Sequence, residues 1–108
     1  MAKEHLVATL GQIPPGCMKR VEIEGEPVVL FNANGDVTAS LDVCPHKGAP
    51  LSAGDFDDGV VMCPLHAWEF DVRTGECLSL PEWPSTLQQL PVRVDDGRVF
   101  VSTTDLHE

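Results

Sequence analysis

The sequence predicts an all-β protein, an antiparallel β-sandwich or barrel scaffold that carries a small inserted lobe. Glycine and proline, nine of each, interrupt the chain every few residues from Gly11 onward and leave no room for a long amphipathic helix. Short β-prone stretches fill the intervals, at residues 6–10, 19–23, 28–31, 37–41, 60–63, 68–72, 92–94 and 98–102. A length of 108 residues fits a single domain, 1–108. Such a chain buries roughly 65% of its unfolded surface and is too short for two independent cores.

Turn residues join several of these stretches. Asn34-Gly35-Asp36, Arg73-Thr74-Gly75-Glu76 and Asp95-Asp96-Gly97 each offer Gly or Asn where a hairpin needs positive φ. The order implies an antiparallel meander. Residues 42–59 and 80–90 do not alternate and are rich in Pro, Gly, Ser and acidic residues, so they read as functional loops. A β scaffold drawn from both chain ends would then carry a lobe of about residues 42–80.

Composition excludes several function classes. Asp and Glu outnumber Lys and Arg by 17 to 7, and a formal charge of -10 repels nucleic acid. The same acidity serves solubility or steers the chain towards a basic docking face. No apolar run approaches the ~20 residues of a membrane-spanning helix. The N-terminus has no signal-peptide core, so a soluble, cytoplasmic protein is expected. Thiols stay reduced in that compartment, and four cysteines there point to metal more than to disulfides.

The spacing supports metal. Cys44-Pro45-His46-Lys47-Gly48 is followed, after sixteen intervening residues, by Cys63-Pro64-Leu65-His66, giving C-x-H-x16-C-x-x-H. Thiolates and imidazoles suit zinc or iron-sulfur chemistry, whereas calcium and magnesium want oxygen cages. Zinc motifs pair cysteines with cysteines and histidines with histidines. Here each short loop supplies one of each, which favours a two-iron cluster with both thiolates on one iron and both imidazoles on the other. Two ferric ions and two sulfides make a doubly positive core that two thiolates cancel, while neutral imidazoles add nothing. The oxidised site is then neutral, and an electron enters more easily than with four thiolates, settling on the His-bound iron.

At these residues the sequence resembles the Rieske iron-sulfur family, whose paired loops carry C-x-H and C-x-x-H, and the similarity runs from about Val7 to Val101. The resemblance implies one 2Fe-2S cluster held by Cys44, His46, Cys63 and His66. Cys44 and Cys63 would bind the inner iron, and His46 and His66 the outer iron near the surface, as the electron port. High-potential members of the family add a disulfide-forming Cys to each loop, at positions that are Ala49 and Leu65 here. They also place Ser and Tyr hydroxyls after the second loop, where this chain has Trp68 and Phe70. The Trp68 indole N–H can still donate a hydrogen bond towards sulfur but Phe70 cannot, so with fewer donors the reduced cluster is expected to be less stabilised.

No substrate chemistry is visible, neither a spare two-His-one-carboxylate iron site, nor a nucleotide-binding glycine fingerprint, nor a flavin site. The chain looks like a small Rieske ferredoxin that passes electrons from an NAD(P)H-dependent flavin reductase to the terminal oxygenase of an aromatic-ring dioxygenase or monooxygenase system. It would act as a monomer with transient partners and no catalysis of its own. A second reading is the small Rieske subunit of an assimilatory nitrite reductase, whose loops also read Cys-Pro-His-Lys-Gly and Cys-Pro-Leu-His. Cys17 and Cys77 read as buried free cysteines, Met18 and Met62 as core fillers, and His5 and His107 as solvated. The Leu80-Pro81-Glu82-Trp83-Pro84-Ser85 loop is either a crossover or a lid with Trp83 over the cluster. The missing donors predict a midpoint near the bottom of the Rieske range, about -150 mV; a redox titration giving more than about +100 mV would contradict that assignment.

Overall fold

The computed structural model describes residues 3–44, 49–64, 68–79 and 87–102. Among these residues ten strands form three antiparallel sheets. They are β1 (Glu4–Thr9), β2 (Met18–Ile23), β3 (Glu26–Ala33), β4 (Asp36–Leu41), β5 (Asp55–Asp57), β6 (Val60–Met62), β7 (Glu69–Asp71), β8 (Gln89–Leu90), β9 (Val92–Asp95) and β10 (Arg98–Ser102). Two short 3-10 turns, Leu10–Gln12 and Leu51–Ala53, complete the regular structure. The sheets have the orders β1-β10-β9, β2-β3-β4-β8 and β5-β6-β7.

The all-β prediction holds, with three differences. The simple meander is overturned by β1, which pairs with β10 at the far end of the chain rather than with β2. Strands β5 and β8 lie in the two stretches expected to be loops. Their sequences carry little β signal, because β5 is Asp-Phe-Asp and β8 is only Gln-Leu. Pairing partners supplied by β6 and β4 create them.

Four two-residue hairpins set the registers. Glu24-Gly25, Asn34-Gly35, Asp58-Gly59 and Asp96-Gly97 all take positive φ at both positions, between 51° and 99°. Positive φ at both central residues is the type I′ geometry whose twist matches that of paired strands. The Asn34 and Asp96 turns were legible in the sequence. Those at Glu24 and Asp58 were not read there.

Strand β3 organises the interior, with six consecutive buried residues from Val28 to Ala33. Its side chains alternate between two cores. Val28 and Leu30 pack with Ala8, Ile13, Ile23, Ala39, Leu90, Val99 and Val101. Val29, Phe31 and Ala33 point the other way, towards Leu51, Val61, Phe70, Val72 and the cysteines Cys44, Cys63 and Cys77. The small β5-β6-β7 sheet covers this second face of β3 with its own inward row, Phe56, Val61 and Phe70.

Polar ties fix the small sheet to the larger one. Arg73 donates to the Asp36 carboxylate at 3.1 Å and to the Ala33 carbonyl at 2.9 Å, both at the β3–β4 turn. Gln89 of β8 donates to the Val72 carbonyl at 3.0 Å. At the other end Gly54 meets the backbone of β6 so closely that a Cβ there would overlap the Met62 carbonyl oxygen and lie 3.2 Å from Pro64 Cδ. Gly54 is required by space, since its φ of -92° is open to any residue. Gly54→Ala should therefore push β6 away at a cost of about 2–3 kcal/mol, lowering the melting temperature by roughly 10 °C or more. Thermal unfolding by circular dichroism checks this, and an unchanged melting point would remove the steric requirement.

Candidate metal centre

The two cysteines of the spaced motif occupy matching positions. Cys44 lies three residues beyond the end of β4, and Cys63 directly follows β6. In each case the cysteine N–H donates to the carbonyl five residues on, Cys44 to Ala49 and Cys63 to Trp68, both at 2.7 Å. Each bond closes the mouth of a segment that opens Cys-Pro in the sequence. Two local rings of the same size thus present the two thiols.

Both thiols reach the same place. Cys44 and Cys63 are each 1% exposed and belong to one core cluster with Phe31, Leu51, Val61 and Phe70. Ala49, Phe56 and Trp68, partly buried, pack against it, and the Phe31 and Phe56 rings stand 5.2 Å apart. None of Cys17, Cys44, Cys63 and Cys77 forms a disulfide. Two buried cysteines in one apolar core cluster suit a soft metal or a cluster, which needs thiolate donors and exclusion of water. His46 and His66, the other candidate ligands, lie outside the described residues, as do Leu65 and Trp83.

Two of the described neighbours, Phe70 and Ala49, have side chains that cannot donate a hydrogen bond to sulfur. Phe70 is completely buried within the cysteine cluster and brings no hydroxyl. Ala49, next to the first loop's closure, brings no second thiol there.

Outside this pocket, the outward face of the small sheet has a regular charge pattern. Its cross-strand rows are Asp55–Met62–Glu69 and Asp57–Val60–Asp71, so two apolar side chains run between four carboxylates. Nearby Arg73 is engaged with Asp36 and Ala33. Met62, expected in the core, stands half-buried on this face because its neighbour Val61 takes the inward position. A larger open groove of about 410 Å³ runs along Val37, Thr38, Ala39, Gln89, Leu90, Pro91 and Val92 and contains none of the candidate ligands.

The remaining sequence candidates divide. Cys77 is buried and bridges to Phe70, as expected of a core cysteine. Cys17 is exposed, which corrects the expectation of burial; it lies just before β2, as expected, where its N–H closes a turn on the Pro14 carbonyl. Met18 packs partly buried against the cysteine-containing core. His5 is half-buried and bonded to Glu24 at 3.0 Å rather than simply solvated, and His107 lies outside the described residues. Sequence reading missed Gly54 and the closing carbonyls of Ala49 and Trp68. A lone glycine and two backbone oxygens carry no sequence signal.

An all-β scaffold that gathers two thiols from two matched loops defines the class, an iron-sulfur protein built on a β sandwich. The family model for the Rieske [2Fe-2S] domain matches residues 3–98. The 3-phenylpropionate/cinnamic acid dioxygenase ferredoxin subunit of Photorhabdus laumondii is 35% identical over 100 residues, covering 92% of this chain and 93% of its own. A solved complex of reduced oxygenase and oxidized ferredoxin in carbazole 1,9a-dioxygenase contains a chain 32% identical, with a TM-score of 0.84 and 92% of both chains covered. A putative NADH-dependent nitrite reductase small subunit from Mycobacterium tuberculosis is 27% identical, with a TM-score of 0.80 over 94% of this chain and 96% of its own. The chain belongs to the Rieske [2Fe-2S] domain family, and its cofactor is one Rieske-type 2Fe-2S cluster.

The donor set fits that cluster, because Cys44 and Cys63 are both buried in one apolar core and form no disulfide. The same burial makes a prediction about thiol chemistry. Iodoacetamide applied to the folded protein should modify Cys17 and leave Cys77 untouched. Peptide mass spectrometry reads the adducts, and rapid labelling of Cys77 without unfolding would contradict its placement in the core.

Proposed function

We propose that Cys44, His46, Cys63 and His66 hold the cluster, with the cysteines on the inner iron and the histidines on the outer one. We further infer that the chain carries single electrons from an NAD(P)H-dependent flavoprotein reductase to the terminal oxygenase of a ring-hydroxylating system. The observation that carries this reading is the pair of buried cysteines, neither in a disulfide, each with its N–H bonded to the carbonyl five residues on. The cluster supplies reversible one-electron chemistry, and the chain's own residues supply anchoring, a dry inner side and a charged exterior. The catalytic step belongs to the oxygenase, and this chain is its electron-transfer component. It works in the cytoplasm as a monomer that meets each partner transiently; no helix among the described residues is long and apolar enough to cross a membrane.

Transient docking draws on charge. A net charge of -10, with Asp55, Asp57, Glu69 and Asp71 gathered on the sheet that contains β6 and leads into Cys63, favours partners with basic docking faces. Surface charges of this kind are screened beyond about 8 Å at physiological ionic strength. The likeness to a nitrite reductase small subunit supports a second reading, a stable subunit of a sirohaem enzyme.

Two measurements test the proposal. Replacing Cys44 or Cys63 by Ala should abolish cluster incorporation, seen as loss of the visible charge-transfer bands and of iron and sulfide; full incorporation in either variant overturns the ligand assignment. In a reconstituted chain with a flavoprotein reductase and an oxygenase, the electron-transfer rate should fall several-fold as salt rises, because steering between opposite charges is screened. A salt-independent rate removes the electrostatic role. Stoichiometric co-purification with a sirohaem protein would replace the shuttle by the subunit.

A further inference from the structure

The two cluster loops are closed alike at their mouths but supported differently beneath. Below Cys63 the second loop rests on paired strands, since Met62 of β6 faces Glu69 of β7 across the ladder. The first loop has no such support. It leaves β4 at Leu41 and returns through Pro50 into the 3-10 turn Leu51–Ala53, which pairs with no strand. Something other than a β ladder must hold its two ends together.

The buried carboxylate of Asp42 occupies that position. Its side chain is completely buried. Oδ1 accepts the Ser52 N–H at 2.8 Å, and Oδ2 accepts the Ser52 hydroxyl at 2.6 Å and Arg20 Nη1 at 3.0 Å. The Asp42 N–H donates to the Pro27 carbonyl at 2.9 Å, fixing the same residue to the start of β3. Pro50, which precedes the 3-10 turn, gives it no side-chain cap, so Asp42 satisfies a turn N–H that would otherwise lack a partner. One carboxylate therefore joins residues on both sides of the first loop, ten positions apart, and ties them to β2 through Arg20.

The chemistry favours an aspartate here over a neutral residue. Three donors converge on two oxygens, and hydrogen bonds to an ionised acceptor are about twice as strong as neutral ones. Arg20 compensates the buried charge, which would be very costly without a partner. An amide at this position could accept at one oxygen only.

We propose that Asp42, acting through Ser52 and Arg20, is a positioning residue for the first cluster loop. It serves Cys44 as the β6–β7 pairing serves Cys63. This inference rests on the proposed ligand set, because it matters only if Cys44 and His46 bind the cluster. Asp42 touches no iron itself, and its effect is to keep Cys44 at the depth and orientation that the second loop's cysteine already has.

The test compares purified holoprotein of the wild type with Asp42→Asn, Ser52→Ala, the double variant and Asn32→Ala. Asn32 is a buried polar residue bonded to the Ile13 carbonyl and the Gly35 N–H, away from the loop, and controls for general destabilisation. The readouts are melting temperature, cluster half-life under a chelator and the electron paramagnetic resonance line shape of the reduced cluster. Asp42→Asn and Ser52→Ala should each shorten the half-life by about tenfold and broaden the line shape. The double variant should be little worse than Asp42→Asn, since the one contact that Ser52→Ala removes is to the carboxylate that Asp42→Asn has already replaced. Asn32→Ala should lower the melting temperature yet leave the half-life within about twofold of wild type. Ser52→Ala keeps the Arg20 pair and so still reports if Asp42→Asn does not fold. Half-lives that track melting temperature across all four variants, with an unchanged line shape, would falsify the positioning role. A wild-type protein that holds no iron would instead overturn the ligand assignment.

Discussion

Burial of β3 on both faces is the constraint from which the rest of the structure follows. A strand with six consecutive buried residues needs a covering layer on each side. On one side β1, β10 and Ile13 supply it. On the other side the layer is the small β5-β6-β7 sheet, and the residues that fill the space between include Cys44 and Cys63. The candidate metal centre is therefore part of a hydrophobic core. The core that buries Phe31, Val61 and Phe70 also buries the two cysteines.

This arrangement separates the inner side of the site from its exterior. Inside, aromatic and aliphatic groups surround the two cysteines, and the buried Phe70 brings no hydroxyl to them. Outside, carboxylates border the apolar pair Val60 and Met62 on the sheet that leads into the second cysteine. The two environments act on different properties: the interior bears on the potential of the cluster, and the exterior on the speed and choice of encounter. Arg73, Gln89 and Asp42 hold the small sheet and its loops to the scaffold through polar contacts that the apolar interface alone could not orient.

Much of this was legible in the residues. The eight β-prone stretches correspond to β1, β2, β3, β4, β6, β7, β9 and β10, because each holds enough branched or apolar residues to show its own preference. Strands β5 and β8 were invisible, since Asp-Phe-Asp and Gln-Leu become strands only when neighbours offer hydrogen bonds. At the site, Cys44 and Cys63 stood out through spacing, whereas Gly54 and Asp42 gave no local sign of their roles. A glycine forced by the Met62 carbonyl and an aspartate joining Ser52 to Arg20 are defined by partners distant in the chain.

By itself the sequence determined the fold class, the Cys-His spacing of the metal motif and the acidic character of the exterior. These depend on residue identity and short-range order, which a chain carries whether or not it is folded. The tertiary structure decided that β1 closes on β10, that Cys17 is exposed while Cys44 and Cys63 share one dry cluster, and that Met62 faces outward. It also decided that the first loop is held by a buried carboxylate and the second by paired strands. Those outcomes depend on long-range pairing and packing, in which a residue's role is fixed by what the rest of the chain brings against it.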